Sequence, residues 1–92
     1  MSVVRPVLMR LEEVVGVKDA MRLSGKSEVT IRRLCRRHGL ARQTTPSAPL
    51  EISRTGLEMV LHGDLDALEM LRAGERSAPP VRRYLEFLNM PA

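Results

Sequence analysis

The sequence predicts a mainly α domain with one small β-hairpin. Three observations carry this. Apolar residues recur at helical spacing in several short segments, capping residues and glycines sit at the ends of those segments, and one Thr/Pro/Ser stretch between them has no helical period. The segment from Ser27 to Gly39 also holds four arginines, so the main functional signal lies there.

Residues 3–15 offer two readings. Val3 and Val4 suit the start of a short strand, whereas Leu8, Leu11 and Val15, after Pro6, have the i, i+3, i+7 spacing of a helix face. A helical turn or short helix is the expectation, broken by Gly16. From Val17 to Leu23 the residues Val17, Ala20, Met21 and Ser24 share one face with Leu23 beside them, and Gly25 ends this short helix. A second helix follows within two or three residues. Ser27 is a good N-cap because its hydroxyl can accept from the free N–H groups of the first turn, and Gly39 suits the left-handed conformation that closes a helix. Ile31, Leu34, Cys35 and His38 turn inward at i, i+3, i+4 and i+7, which leaves Glu28, Val29, Arg32, Arg33, Arg36 and Arg37 on the outer surface. Two short helices joined by a tight glycine turn, the second of them basic, read as a helix-turn-helix.

From Leu40 the composition changes. Leu40 to Arg42 and Leu50 to Ile52 are expected to pair as a hairpin with the Thr/Pro/Ser stretch at its tip, and Pro46 and Pro49 keep the ladder short. A hairpin in this position is a wing. Ser53 caps a third helix, Arg54 to His62, which carries Leu57, Val60 and Leu61 and stops at Gly63. Asp64 caps a fourth, with Leu65, Leu68 and Leu71 on one face and Ala73-Gly74 as its end. After a linker ending in two prolines, Val81, Tyr84, Leu85 and Leu88 mark a fifth. No internal repeat or low-complexity tract is visible. Residues 1–92 are read as one domain, with a core of about 17–63 and a C-terminal helical extension over 64–92.

The net charge of +4 is unevenly spread. Residues 31–54 hold six basic residues and one acid, whereas residues 55–92 hold four and six, so the positive field comes from the middle of the chain. One sign of charge on one element is the footprint of nucleic-acid binding, in which released counterions drive association. The aromatic residues Tyr84 and Phe87 lie far along the chain from the arginines. Single strands and RNA loops are held by stacking on such rings, so their absence beside the basic helix points to duplex DNA. A lone cysteine excludes an internal disulfide framework and fits a reducing cytoplasm. Cys35, His38 and His62 fall short of the roughly four ligands of a structural metal site, and no cofactor is expected. No apolar run approaches the roughly 20 residues of a membrane span and the N-terminus has no signal-peptide layout, so a cytoplasmic, nucleoid-associated protein without a membrane partner is expected. Neither a paired-carboxylate cleft, a nucleophile-base spacing nor a glycine-rich phosphate loop is present, so an enzyme is not expected.

The segment Ala20-Met-Arg-Leu-Ser-Gly-Lys-Ser-Glu-Val-Thr-Ile-Arg-Arg33 resembles the winged helix-turn-helix of the excisionase and MerR-like group. Ala20, Leu23, Gly25, Ser27, Thr30, Ile31 and Arg33 match that pattern, and Ile52 to Leu57 resembles its passage from wing strand to helix. The similarity covers about residues 17–63. Ser24 and Lys26 depart from it, standing where the pattern prefers apolar residues that close the turn; a serine there is expected to bond to local backbone and a lysine to keep its charge in water. The resemblance implies a prokaryotic or phage-derived accessory protein that binds and bends DNA. Three kinds are compatible: an excisionase (recombination directionality factor) of a mobile element, a compact transcription regulator, or the DNA-binding end of a small terminase subunit. Its second helix would enter the major groove and its wing would follow the backbone or minor groove.

On that reading, Glu28, Val29, Arg32 and Arg33, in the first turns of the second helix, are candidates for base edges, with arginine bidentate to guanine as the leading contact. Arg36 and Arg37, further along, are candidates for phosphate. Thr30 is a candidate phosphate contact or a support for the first turn, and Ser27 both caps the helix and offers an anion a helix N-terminus. Arg42, Gln43 and Thr44 are the wing candidates. Residues 64–92, acidic and apolar, are read either as completing the core or as an association surface for homo-oligomers on DNA or for a recombinase of the integrase kind. A competing class is a protein-interaction adaptor or antiactivator that turns the same basic face toward an acidic partner.

Overall fold

The computed structural model describes residues 5–91. In chain order it contains a 3-10 turn (Leu11–Glu13), strand β1 (Val14–Val15), helices α1 (Val17–Ser24) and α2 (Glu28–His38), strands β2 (Ala41–Arg42) and β3 (Glu51–Ser53), and helices α3 (Arg54–Leu61), α4 (Leu65–Arg72) and α5 (Pro79–Phe87). It is mainly helical, with a three-stranded antiparallel sheet in the order β1-β3-β2.

Local chemistry sets most of these boundaries. Gly25 takes φ 71° and its N–H donates to the Met21 carbonyl, ending α1. The Ser24 hydroxyl accepts from the Lys26 N–H at 3.1 Å, so the serine closes the turn through the backbone as its sequence position suggested. Ser27 then caps α2, its Oγ accepting from the Thr30 N–H at 3.2 Å. Gly39, at φ 65°, ends α2 and leads directly into buried Leu40. Ser53 and Asp64 cap α3 and α4 by accepting from Gly56 N–H at 3.0 Å and Ala67 N–H at 3.1 Å. Two prolines open α5, where missing N–H donors do no harm.

The N-terminal segment differs from the expected helix. Leu8 and Leu11 are about three-quarters exposed, and the residues that turn inward are Val7, Met9 and Glu13. The physical reason is a non-local partner. Val14 and Val15 pair with Ser53 and Ile52 of β3, and the Val7 N–H donates to the Gly39 carbonyl at 2.9 Å, so extended backbone satisfies more groups here than a short helix would. The alternative strand start at Val3 and Val4 lies outside the described residues. β3 is the central strand, and on its other edge Ala41 pairs with Ile52 and Arg42 with Glu51.

A single buried cluster spans both halves of the chain. Ala20, Ile31, Leu40, Ile52 and Leu57 are packed with Leu68, Leu71, Val81 and Leu85 from α4 and α5. Each fully buried aliphatic side chain contributes about 1.5–3 kcal/mol, so the C-terminal helices supply a substantial part of the apolar burial that a domain this small needs. Gly56 allows one close approach in this core. A Cβ at that position would stand 3.0 Å from Leu40 Cδ2 and 3.2 Å from Ser53 Oγ, so α3 sits on Leu40 only because its first turn carries no side chain there.

Two carboxylates are buried with their charge matched. Glu13 accepts from the Arg10 N–H and pairs with Arg76, which ties the N-terminal turn to the segment between α4 and α5. Glu58 lies between Arg54, at 2.7 Å, and His62, at 3.2 Å, along α3. Among the described residues no helix is long and apolar enough to cross a membrane.

Candidate nucleic-acid interface

Helix α2 presents its outer surface in three strips. Successive residues are about 100° apart around a helix axis, so with Ile31 and Cys35 buried, Val29, Arg33 and Arg36 fall opposite them in one outermost stripe. Glu28 and Arg32 flank it on the side of the β2–β3 hairpin, and Thr30 and Arg37 on the other side. This regroups Arg36, which shares the outermost stripe with Arg33 instead of belonging with Arg37.

The arginines are electrostatically unequal. Arg32 Nε donates to Glu28 Oε2 at 2.9 Å, one turn earlier, so part of its charge is balanced within the helix. Arg33, Arg36 and Arg37 form no ion pair among the described residues, and all three are exposed. Three unbalanced guanidinium groups on adjacent turns attract a polyanion. Their field also reaches the side chains beneath. His38 is held below the ordinary imidazole range, first by burial and then by Arg37 and Arg72. Burial pushes the Cys35 thiol up, while Arg32 and Arg36 pull the other way.

Between α2 and the hairpin lies a groove of about 350 Å³, lined by Arg32, Cys35, Arg36, Ala41, Arg42, Gln43 and Leu50. The fold therefore brings together the basic helix and the hairpin candidates Arg42 and Gln43. Their side chains are already engaged. Arg42 donates through Nε to Glu51 Oε1 at 2.8 Å and through Nη1 to the Met9 carbonyl at 3.1 Å. The Gln43 amide donates to the carbonyls of Pro46 and Ala48 and closes the hairpin tip on itself. Thr44 is exposed at that tip. At the other end of the helix, Ser27 Oγ accepts from the Thr30 N–H and also lies 3.1 Å from Thr30 Oγ1, so the two hydroxyls share a hydrogen bond and one of them is left to donate outward.

The partners of Arg42 were not visible in the sequence. Glu51 lies across a two-residue ladder and Met9 more than thirty residues away, so neither follows from spacing along one element. The only sequence signal was Glu51 standing as the sole acid in the basic segment.

A second concavity, of about 470 Å³, lies at the opposite functional extreme of the chain and is lined by His62, Arg83, Tyr84, Glu86 and Phe87. Tyr84 donates to Asp64 Oδ2 at 2.9 Å and meets the His62 ring edge-on, with centroids 6.0 Å apart. Phe87 and Leu65 are the large apolar side chains left exposed on the last two helices. Among the described residues no group of three or more His, Cys, Asp or Glu side chains is placed to hold a metal ion.

The fold and this surface define a small, mainly helical domain with a basic helix set beside an antiparallel hairpin. Comparison with protein-family models, with curated proteins and with solved structures finds no match.

Proposed function

We propose that this chain is a sequence-specific double-stranded DNA-binding protein of the winged helix-turn-helix kind, acting as an excisionase-like accessory factor that binds and bends DNA to direct site-specific recombination of a mobile element. One observation carries the reading: Arg33, Arg36 and Arg37 lie unpaired on the outer surface of a helix whose neighbour is a hairpin. A helix of this kind fits the major groove, and a hairpin beside it falls over the adjoining backbone or minor groove. α1 and the Gly25 turn support the same reading, because they hold the basic helix outward from the core.

Base contacts are assigned to Val29, Arg33 and Arg36, and phosphate contacts to Arg37 and Thr30. Arg32 reaches the duplex after sharing or leaving Glu28. Leu65 and Phe87 support a further contact, to a neighbouring copy on DNA or to an integrase-type recombinase. Transcription regulation and a terminase role use the same duplex surface and are separated from the excisionase role by bending and by dependence on a recombinase.

The test is a site selection from a randomised duplex pool, followed by gel shift of the enriched site and a circularly permuted set for bending. An enriched sequence that outcompetes nonspecific duplex and migrates as bent DNA is expected. Retention of an acidic protein partner with no preference for any duplex would replace this reading with the adaptor class.

A further inference from the structure

Val29 is an anomaly on α2. It is 65% exposed in the middle of the outermost stripe, and no other large apolar side chain of this helix is comparably exposed. A β-branched residue at an exposed helical position adds no packing and is a weaker helix former than alanine or the straight-chain residues. Its place is also the forward one. It lies in the first turn of α2, and Arg33 follows one turn later on the same stripe.

We infer that Val29 is a specificity-determining residue that reads the C5-methyl group of a thymine in the major groove, beside a guanine held by Arg33. This rests on the duplex-binding reading above and adds to it the identity of two bases. The major groove is where thymine differs from every other base by a methyl group, and an apolar side chain is the group that recognises it. The rest of the stripe is guanidinium, which recognises the paired acceptors of guanine. Four residues of helix advance about 6 Å, and base pairs are about 3.4 Å apart, so the thymine should fall within about two base pairs of the guanine. Neighbouring Arg32 does not compete for this position, since Glu28 draws it toward the hairpin flank.

The experiment uses the full chain and the duplex it selects from a randomised pool. Each thymine of that site is replaced singly by deoxyuridine, which removes only the methyl group, and affinity is measured by fluorescence anisotropy. At one position the unmodified protein should bind about fourfold more weakly, the effect of one methyl group returned to water. Val29→Ala should bind the thymine and deoxyuridine duplexes equally, while Arg33→Ala should keep the methyl effect and lose the preference for guanine. Thermal melting of both variants should match the unmodified chain, because both side chains are exposed. Equal binding to every deoxyuridine duplex, or an undiminished methyl effect in Val29→Ala, would overturn the assignment while leaving duplex binding intact. Failure to enrich any sequence would instead remove the duplex reading, and that outcome appears before a modified base is used.

Discussion

Arg42 and Glu51 face each other across the hairpin, with the guanidinium Nε 2.8 Å from the carboxylate and Nη1 reaching back to the Met9 carbonyl. One side chain thus joins β2, β3 and the N-terminal segment. An arginine held by two partners is poorly disposed to contact phosphate, and its value lies in fixing the hairpin beside α2. Arg42→Ala is therefore expected to speed amide hydrogen exchange in β2 and β3 and to leave the salt dependence of duplex binding unchanged. The loss of stability should be small, about 0.2–1 kcal/mol, as for other exposed pairs. A direct phosphate contact would instead lower the salt slope by about 0.9.

The pair between Glu13 and Arg76 has a different weight. Glu13 is almost wholly buried, Arg76 nearly so, and Arg76 Nε has no hydrogen-bond partner among the described residues. Removing one member leaves an uncompensated buried charge, which costs about 3–5 kcal/mol. Arg76→Ala should therefore lower the urea midpoint far more than Arg33→Ala does. Equal midpoints for the two variants would contradict this ranking.

His38 gives the fold a pH dependence of predictable sign. Burial, then Arg37 and Arg72, hold its folded-state value below 6.5, so the unfolded chain takes up a proton more readily than the folded one. Stability contributed by the neutral ring is present above the unfolded value and is lost as pH falls from about 6.5 toward the lower folded value. Urea midpoints measured between pH 8 and pH 5 should fall more steeply for the unmodified chain than for His38→Gln. Parallel curves would remove His38 from the account.

Cys35 reports on the groove between α2 and the hairpin. Its thiol is nearly buried and raised by that burial, so it should react slowly with an alkylating reagent in the folded protein and quickly in urea. Duplex DNA lying over Arg32 and Arg36 should slow the reaction further. Unchanged alkylation with saturating duplex would mean that the groove stays open to solvent in the complex.

Much of the helical fold was legible because its signals are local. Ser27 and Gly39 bound α2, Gly25 ends α1, and Ser53 and Asp64 begin the next two helices, each through a hydrogen bond within a few residues. The hairpin was also legible, since a stretch without helical period lies between Leu40 and Leu50. The N-terminal strand was not. Leu8, Leu11 and Val15 have helical spacing, and only the distant partners Ser53 and Ile52 make that stretch extended. The buried Glu13 was equally hidden, because its partner Arg76 lies 63 residues on. At the candidate surface the arginines were plain in the sequence. What required coordinates was their sorting, with Arg32 held by Glu28 and Arg36 placed on the stripe of Val29 and Arg33.

The central claim, that the unpaired arginines of α2 meet the phosphates and bases of a duplex, is tested most directly by the salt dependence of duplex affinity. The unmodified chain should show a steep linear fall of log K with log salt. Joint replacement of Arg33, Arg36 and Arg37 by alanine should reduce that slope by about 2–3, near 0.9 for each neutralised phosphate, and lower the affinity at every salt concentration. An unchanged slope and affinity in the folded triple variant would contradict it.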